Sequence, residues 1–184
     1  ADIILLTHSH YDHCSIDDLN KIIKDGTKIV LTADSQSKVA RFNVPVEIVI
    51  VEPYSEIDFL SVKISVIPAY NVGKTFHPKE EGWVGYILKF NDILIYHSGD
   101  TGFIPEMQKL TGFKQPGKDF VAILPIGGRF TMSVEEALEA AKLIKPTLVI
   151  PMHYGSLVGT SEDAVEFKEL CEENGIKVEI LEKE

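Results

Sequence analysis

The sequence predicts a mixed α/β protein with a β-rich middle third, and three patterns carry that expectation. Short apolar runs of strand length end at Gly, Pro or Asn; Ser-led capping sequences open two amphipathic stretches; strand and helix patterns alternate through the last third. At 184 residues, with 45% hydrophobic and 25% charged side chains, the chain has the size and composition of one globular unit, so a single domain over 1–184 is expected.

Asp2 to Thr7 is a short apolar strand followed at once by histidines, which sets His8 and His10 in a loop at its carboxyl end, a common place for chemistry. Ser15 reads as a helix N-cap with Asp18 at the capping-box position; Ile16, Leu19, Ile22 and Ile23 form one apolar face, and Gly26 is the expected stop. Lys28 to Leu31 and Val46 to Val51 read as buried strands, with a short helix from about Gln36 to Arg41 between them. Ser61 to Ile67 alternates as a strand does, and Val84 to Phe90 and Ile93 to Tyr96 flank Asn91-Asp92 as a hairpin. Then come a strand at Phe120 to Leu124, a helix from Ser133 with Glu136 completing its capping box, and a strand at Leu148 to Ile150. A helix from about Glu162, closed by Gly175, and a strand at Val178 to Leu181 end the pattern.

Composition narrows the function. A net charge of −10 without a basic stripe argues against a nucleic-acid partner, and no apolar run approaches the ~18 residues of a membrane span. Two cysteines are too few for a disulfide framework, so a cytoplasmic protein acting on a small molecule is expected, its oligomeric state left open.

The segment Thr7 to Ser15, THSHYDHCS, holds His8, His10, Asp12 and His13 within six positions. Imidazole nitrogen and carboxylate oxygen suit zinc, manganese or iron, and alternation at His8 and His10 turns two imidazoles toward one ion while Asp12 and His13 face a second position. The plain alternative is a polar surface loop with incidental histidines.

HSHYDH resembles the H-x-H-x-D-H signature of the metallo-β-lactamase superfamily. YHSGDT (Tyr96 to Thr101), LPIGGRFTM (Leu124 to Met132) and PMHYGS (Pro151 to Ser156) follow in the order that superfamily expects. The chain looks most like the lactonase-like, largely uncharacterised metal-dependent hydrolase branch. The resemblance implies a four-layer αββα sandwich, with Asp100 bridging two metals and His153 completing the second site; a turn carboxylate and a packed core histidine are the alternatives. Many relatives carry a histidine directly after the strand where this chain has Pro68-Ala69-Tyr70-Asn71. Asn71 is a poor substitute, so His77, in a Gly- and Pro-containing loop, is taken as the remaining ligand, against a solvated loop histidine. His97 is either a group that orients a ligand or a packed strand-end residue, and stands outside the metal set. Relatives also begin with a pair of strands before the motif strand. The present sequence opens with Ala1 directly on that strand, so either something upstream is missing from it or, if the pair is truly absent, one sheet edge is left uncovered.

The expected cofactors are two divalent ions, zinc foremost with manganese or iron also suited, and the expected activity is hydrolysis of a small ester, lactone or phosphodiester by a metal-bridging hydroxide. Asp12 would orient that hydroxide or pass a proton to the leaving group. The chain has no G-x-S-x-G elbow, and Cys14 is assigned no catalytic role. Gly127 to Thr131 are expected to shape the pocket. Lys74, Lys79 and Trp83 either contact substrate or belong to an ordinary loop. Two other classes stay open: a mono-iron oxygenase acting on a thiol or persulfide, and a non-catalytic metal-dependent binding module. A flavodiiron oxidoreductase would place glutamate where this chain has His10.

Overall fold

Alternation of side chains along each strand sorts the apolar residues onto opposite faces of two sheets. A computed structural model describes residues 1–59 and 62–182. Strands β1 (Ile3–Leu5), β2 (Thr27–Thr32) and β3 (Val46–Val51) form a parallel sheet in that order. In β2, Ile29 and Leu31 pack outward against Leu19 of helix α1 (Ile16–Ile22) and Val39 of helix α2 (Gln36–Val39). Val30 faces the other way and meets the second sheet through Ile64, Val66, Val84 and Tyr86.

That second sheet runs in sequence order through β4 (Glu56–Phe59), β5 (Val62–Pro68), β6 (Val84–Phe90), β7 (Ile93–His97), β8 (Asp119–Pro125) and β9 (Leu148–Met152). Its far face, with Phe120, Ala122, Leu124 and Val149, is covered by Ala137, Ala141 and Ile144 of helix α3 (Val134–Ile144) and Phe167 of helix α4 (Ser161–Glu173). The layers are therefore helix, sheet, sheet, helix, the αββα order expected, with β1 at one edge of the smaller sheet.

Local signals set most boundaries. Ser15 accepts from the Asp18 N–H at 3.3 Å, and Ser133 and Glu136 form a reciprocal capping box. Several expectations need correction. Helix α1 ends at Ile22, four residues before Gly26, because the Lys24 N–H is taken up by Thr27 Oγ1. The helix expected from Gln36 to Arg41 stops at Val39. Val178 to Leu181 is not a strand: Val178 makes one isolated bridge to Val149. Ser61, expected to open β5, lies outside the described residues, and β4 was not foreseen because only alternate residues of Glu56–Phe59 are half-buried.

Strand direction positions the functional edge. β6 is antiparallel to both β5 and β7, and β8 and β9 are parallel to β7, so the carboxyl ends of β5, β7, β8 and β9 meet at one edge, where β6 begins. The end of β1 is tied there too. The Val84 N–H donates to the Thr7 carbonyl at 3.1 Å, and the Tyr86 hydroxyl donates to the Leu6 carbonyl at 2.7 Å. On the other side Gly85 lets β6 lie close to the end of β7, since a Cβ on it would lie 2.6 Å from the Ser98 carbonyl oxygen and 2.8 Å from that of His97. Gly85→Ala should therefore lower unfolding free energy by about 1–3 kcal/mol, as overpacking does. Chemical denaturation checks this, and an unchanged midpoint would show that the two strands can part freely.

Candidate metal centre

Five loops converge at this edge. After β1 the chain turns tightly, with the His13 and Cys14 N–H groups both donating to the His10 carbonyl at 3.1 and 2.8 Å. This turn fans His8, His10, Asp12 and His13 around one space. The Thr7 hydroxyl engages His8 Nδ1 at 2.9 Å, leaving His8 Nε2 turned to the centre. Asp100 arrives from the turn after β7, where Gly99 takes a left-handed φ of +65° and a Cβ would meet the Val84 carbonyl oxygen at 2.6 Å. His153 follows β9.

The result is two groups of donors, each able to converge on one cation: His8, His10 and His77, and Asp12, His13, Asp100 and His153, with ligand atoms within 4.8 Å of one another inside each group. Asp100 stands between them. Its Oδ2 lies 3.3 Å from His77 Nε2, 3.9 Å from His8 Nε2 and 3.2 Å from His153 Nε2, and its Oδ1 lies 3.3 Å from His13 Nε2. Asp12 Oδ2 is 3.3 Å from His13 Nε2 and 3.4 Å from His153 Nε2. Despite this crowding, His13 Nε2, His77 Nε2, both ring nitrogens of His153 and Asp100 Oδ1 are buried without a hydrogen-bond partner among the described residues. Buried polar atoms are rarely left so, and a cluster of them aimed at shared space fits a cation.

Electrostatics agrees with the donor chemistry. Burial, reinforced by the neighbouring His13, lowers the pKa of His8 to about 2, and burial followed by the proximity of His77 lowers that of His10. Both imidazoles are thus held neutral, the form with a lone pair to give. Burial alone would raise the Asp100 carboxyl, but the imidazoles of His13, His153 and His77 hold it well below the usual range. The Asp100 carboxylate in turn raises His153.

The loop that carries His77 is held by long-range hydrogen bonds. The His77 Nδ1–H donates to the Phe130 carbonyl at 3.0 Å, which fixes the tautomer and leaves Nε2 free. Asn71 donates from Nδ2 to the carbonyls of Phe76 at 2.7 Å and Phe130 at 2.6 Å, so it straps the loop and stands in neither donor group. Lys74 Nζ donates to the carbonyls of Gly128 and Thr131 at 3.2 and 2.6 Å and to Glu136 at 2.8 Å, while Lys79 bonds Glu106 at 3.0 Å. Both lysines are ties within the protein, neither the substrate contacts nor the plain loop residues between which the sequence left them. His77 and His153 adopt left-handed backbone, φ 56° and 57°, a conformation that costs a non-glycine residue on the order of 1 kcal/mol.

Trp83 also belongs to the frame rather than to a substrate surface. Its ring lies 4.8, 4.7 and 5.2 Å from those of His8, His10 and His77, and its Nε1–H donates to Asp34 at 2.8 Å. Asp34 carried no sequence signal of this role. His97 stays outside both groups, with Nδ1 accepting from the Gly99 N–H at 3.2 Å. Of the Gly127 to Thr131 loop, Phe130 lines the cleft above the donors.

Comparison with known proteins places the chain among relatives. The family model for the beta-lactamase superfamily domain matches residues 1–154. A UPF0173 metal-dependent hydrolase of Pyrococcus horikoshii is 36% identical over 182 residues, spanning 98% of this chain and 77% of that protein. Among solved structures, one described as a metal-dependent hydrolase from Parabacteroides distasonis superposes with a TM-score of 0.82 at 32% identity, over 100% of this chain and 77% of that one. A metallo hydrolase of Ignicoccus hospitalis superposes at 0.77 with 28% identity, over 99% and 76%.

Trp83 is the sole tryptophan, so its emission should respond when zinc is titrated into metal-stripped protein. Trp83→Phe, which keeps the ring wall but loses the Asp34 bond, should weaken zinc retention roughly 10–100-fold in competition with a chelator. Equal retention by both proteins would show that the indole does not position the histidines.

Proposed function

The chain belongs to the UPF0173 metal-dependent hydrolases of the beta-lactamase superfamily, and on that premise we propose that it cleaves a small ester, lactone or phosphodiester with two divalent ions. The observation that carries this reading is the pair of donor groups on either side of Asp100, with buried ring nitrogens left unpartnered. His8, His10 and His77 would hold one ion, and Asp12, His13 and His153 the other, with Asp100 common to both. Zinc suits this nitrogen-rich set, as would manganese or iron. Bound there, such ions polarise a carbonyl or phosphoryl oxygen and lower the pKa of water toward neutrality.

The protein's own groups supply the rest. Asp100 balances charge in a buried place, and the Phe130 carbonyl and Thr7 hydroxyl hold the His77 and His8 rings in orientation. Asp12, whose side chain is 31% exposed, reaches the cleft and is placed to orient water and carry a proton to the leaving group. No thiol competes for the role of nucleophile: Cys14 is buried, burial raises its pKa, and it does not line the cleft. We place this activity in the cytoplasm, in one domain over 1–184 acting on a small molecule, consistent with two buried free cysteines. No helix among the described residues is long and apolar enough to cross a membrane.

Asp12→Asn should abolish turnover across a panel of esters, lactones, thioesters and phosphodiesters while elemental analysis still finds metal. His77→Ala should reduce the content from about two equivalents toward one. Unchanged turnover by the Asp12 variant would remove the proton-transfer role.

A further inference from the structure

The cleft above the donors has an apolar wall. It encloses about 270 Å³ between His10, Asp12, His77, Asp100 and His153 on its floor and Phe76, Phe130 and Leu157 on its sides. Phe76 meets Phe130 edge to face, with ring centroids 4.5 Å apart, yet Phe76 is 46% exposed and Leu157 68% exposed. Beyond Leu157 a second lobe of about 210 Å³ continues past Asp12, His153, Tyr154 and Ser156.

Two features make this wall more than scattered surface. First, it is fixed to the centre. Phe76 precedes His77 directly, and the Phe130 carbonyl receives the His77 Nδ1–H and the Asn71 amide, so the backbone that carries the aromatic pair is tied to the candidate ligand. Second, no lysine or arginine among the described residues lines either lobe. Lys74 and Lys79 are held by Glu136 and Glu106, and Arg129 lies over the Phe130 ring at 5.0 Å without entering the lining. Exposed apolar side chains gathered around a few convergent polar groups mark a ligand site; with no lysine or arginine in the lining, the walls offer apolar contact, and charge for an anionic group would come only from ions held by the donors on the floor.

We propose that Phe76, Phe130 and Leu157 form a subsite for a compact apolar chain beside the scissile bond, so that the substrate is a neutral ester or lactone bearing an aliphatic or aromatic group. This rests on the hydrolase reading of the same centre, and binding separates the two ideas. Straight-chain carboxylates from acetate to hexanoate are titrated calorimetrically into the zinc-loaded full chain. The corresponding 4-nitrophenyl esters and bis(4-nitrophenyl) phosphate are assayed for kcat/KM. Affinity and kcat/KM should each rise roughly three- to fourfold per added methylene until the wall is covered. Leu157→Ser and Phe76→Ser should flatten both slopes, and thermal melts confirm that these exposed positions leave the fold intact.

A flat binding series, or a slope that survives both substitutions, would overturn the subsite. Graded binding without cleavage of any of the 4-nitrophenyl esters or of the phosphodiester would keep the subsite and overturn the hydrolase reading. Faster cleavage of the phosphodiester than of the hexanoate ester would overturn the substrate class.

Discussion

A carboxylate buried among four imidazoles is the constraint on which this molecule is organised. An ionised carboxylate taken out of water costs several kcal/mol unless charge and hydrogen bonds answer it. Asp100 is 3% exposed, and what surrounds it is His8, His13, His77 and His153. Neutral imidazoles alone answer it poorly, because the inward ring nitrogens of His13, His77 and His153 have no hydrogen-bond partner among the described residues. Each such buried atom costs about 1–3 kcal/mol. Positive charge in the shared space relieves the carboxylate and the lone pairs together, which is why the same residues read so directly as a metal centre.

The rest of the fold serves to hold that arrangement against its own cost. Parallel ends of β5, β7, β8 and β9 bring separate loops to one edge, and Gly85 lets β6 press close to the strand beside it. Glu136 illustrates the economy of the design. Its carboxylate accepts from the Ser133 N–H at the cap of α3 and also from Lys74, so the start of a core helix is coupled to the loop that carries His77. Left-handed backbone at His77 and His153 persists because hydrogen bonds and packing on either side over-determine it.

How much of this was legible in the sequence follows from the range of each interaction. His8, His10, Asp12 and His13 lie within six positions between a strand and a capped helix, so local pattern alone exposed them. The αββα layers were legible through the resemblance carried by HSHYDH, YHSGDT, LPIGGRFTM and PMHYGS, and Ser133 and Glu136 announced α3 by their spacing. Other features depended on partners far along the chain. The direction of His77 is set by a carbonyl 53 residues away, and Trp83 is fixed by Asp34, 49 residues before it. Lys74 stayed open between a substrate contact and an ordinary loop residue because nothing nearby showed that its three acceptors lie after β8 and at α3. Val178 to Leu181 had the composition of a strand but finds only a single bridge at Val149, and composition cannot report a missing neighbour.

The central claim is that two donor groups share Asp100, and anomalous diffraction from crystals grown with zinc, measured on both sides of its absorption edge, tests it most directly. Two peaks are predicted, one enclosed by His8, His10 and His77 and the other by Asp12, His13 and His153, both in contact with Asp100. A single peak, or two that leave His77 or Asp100 unliganded, would contradict it.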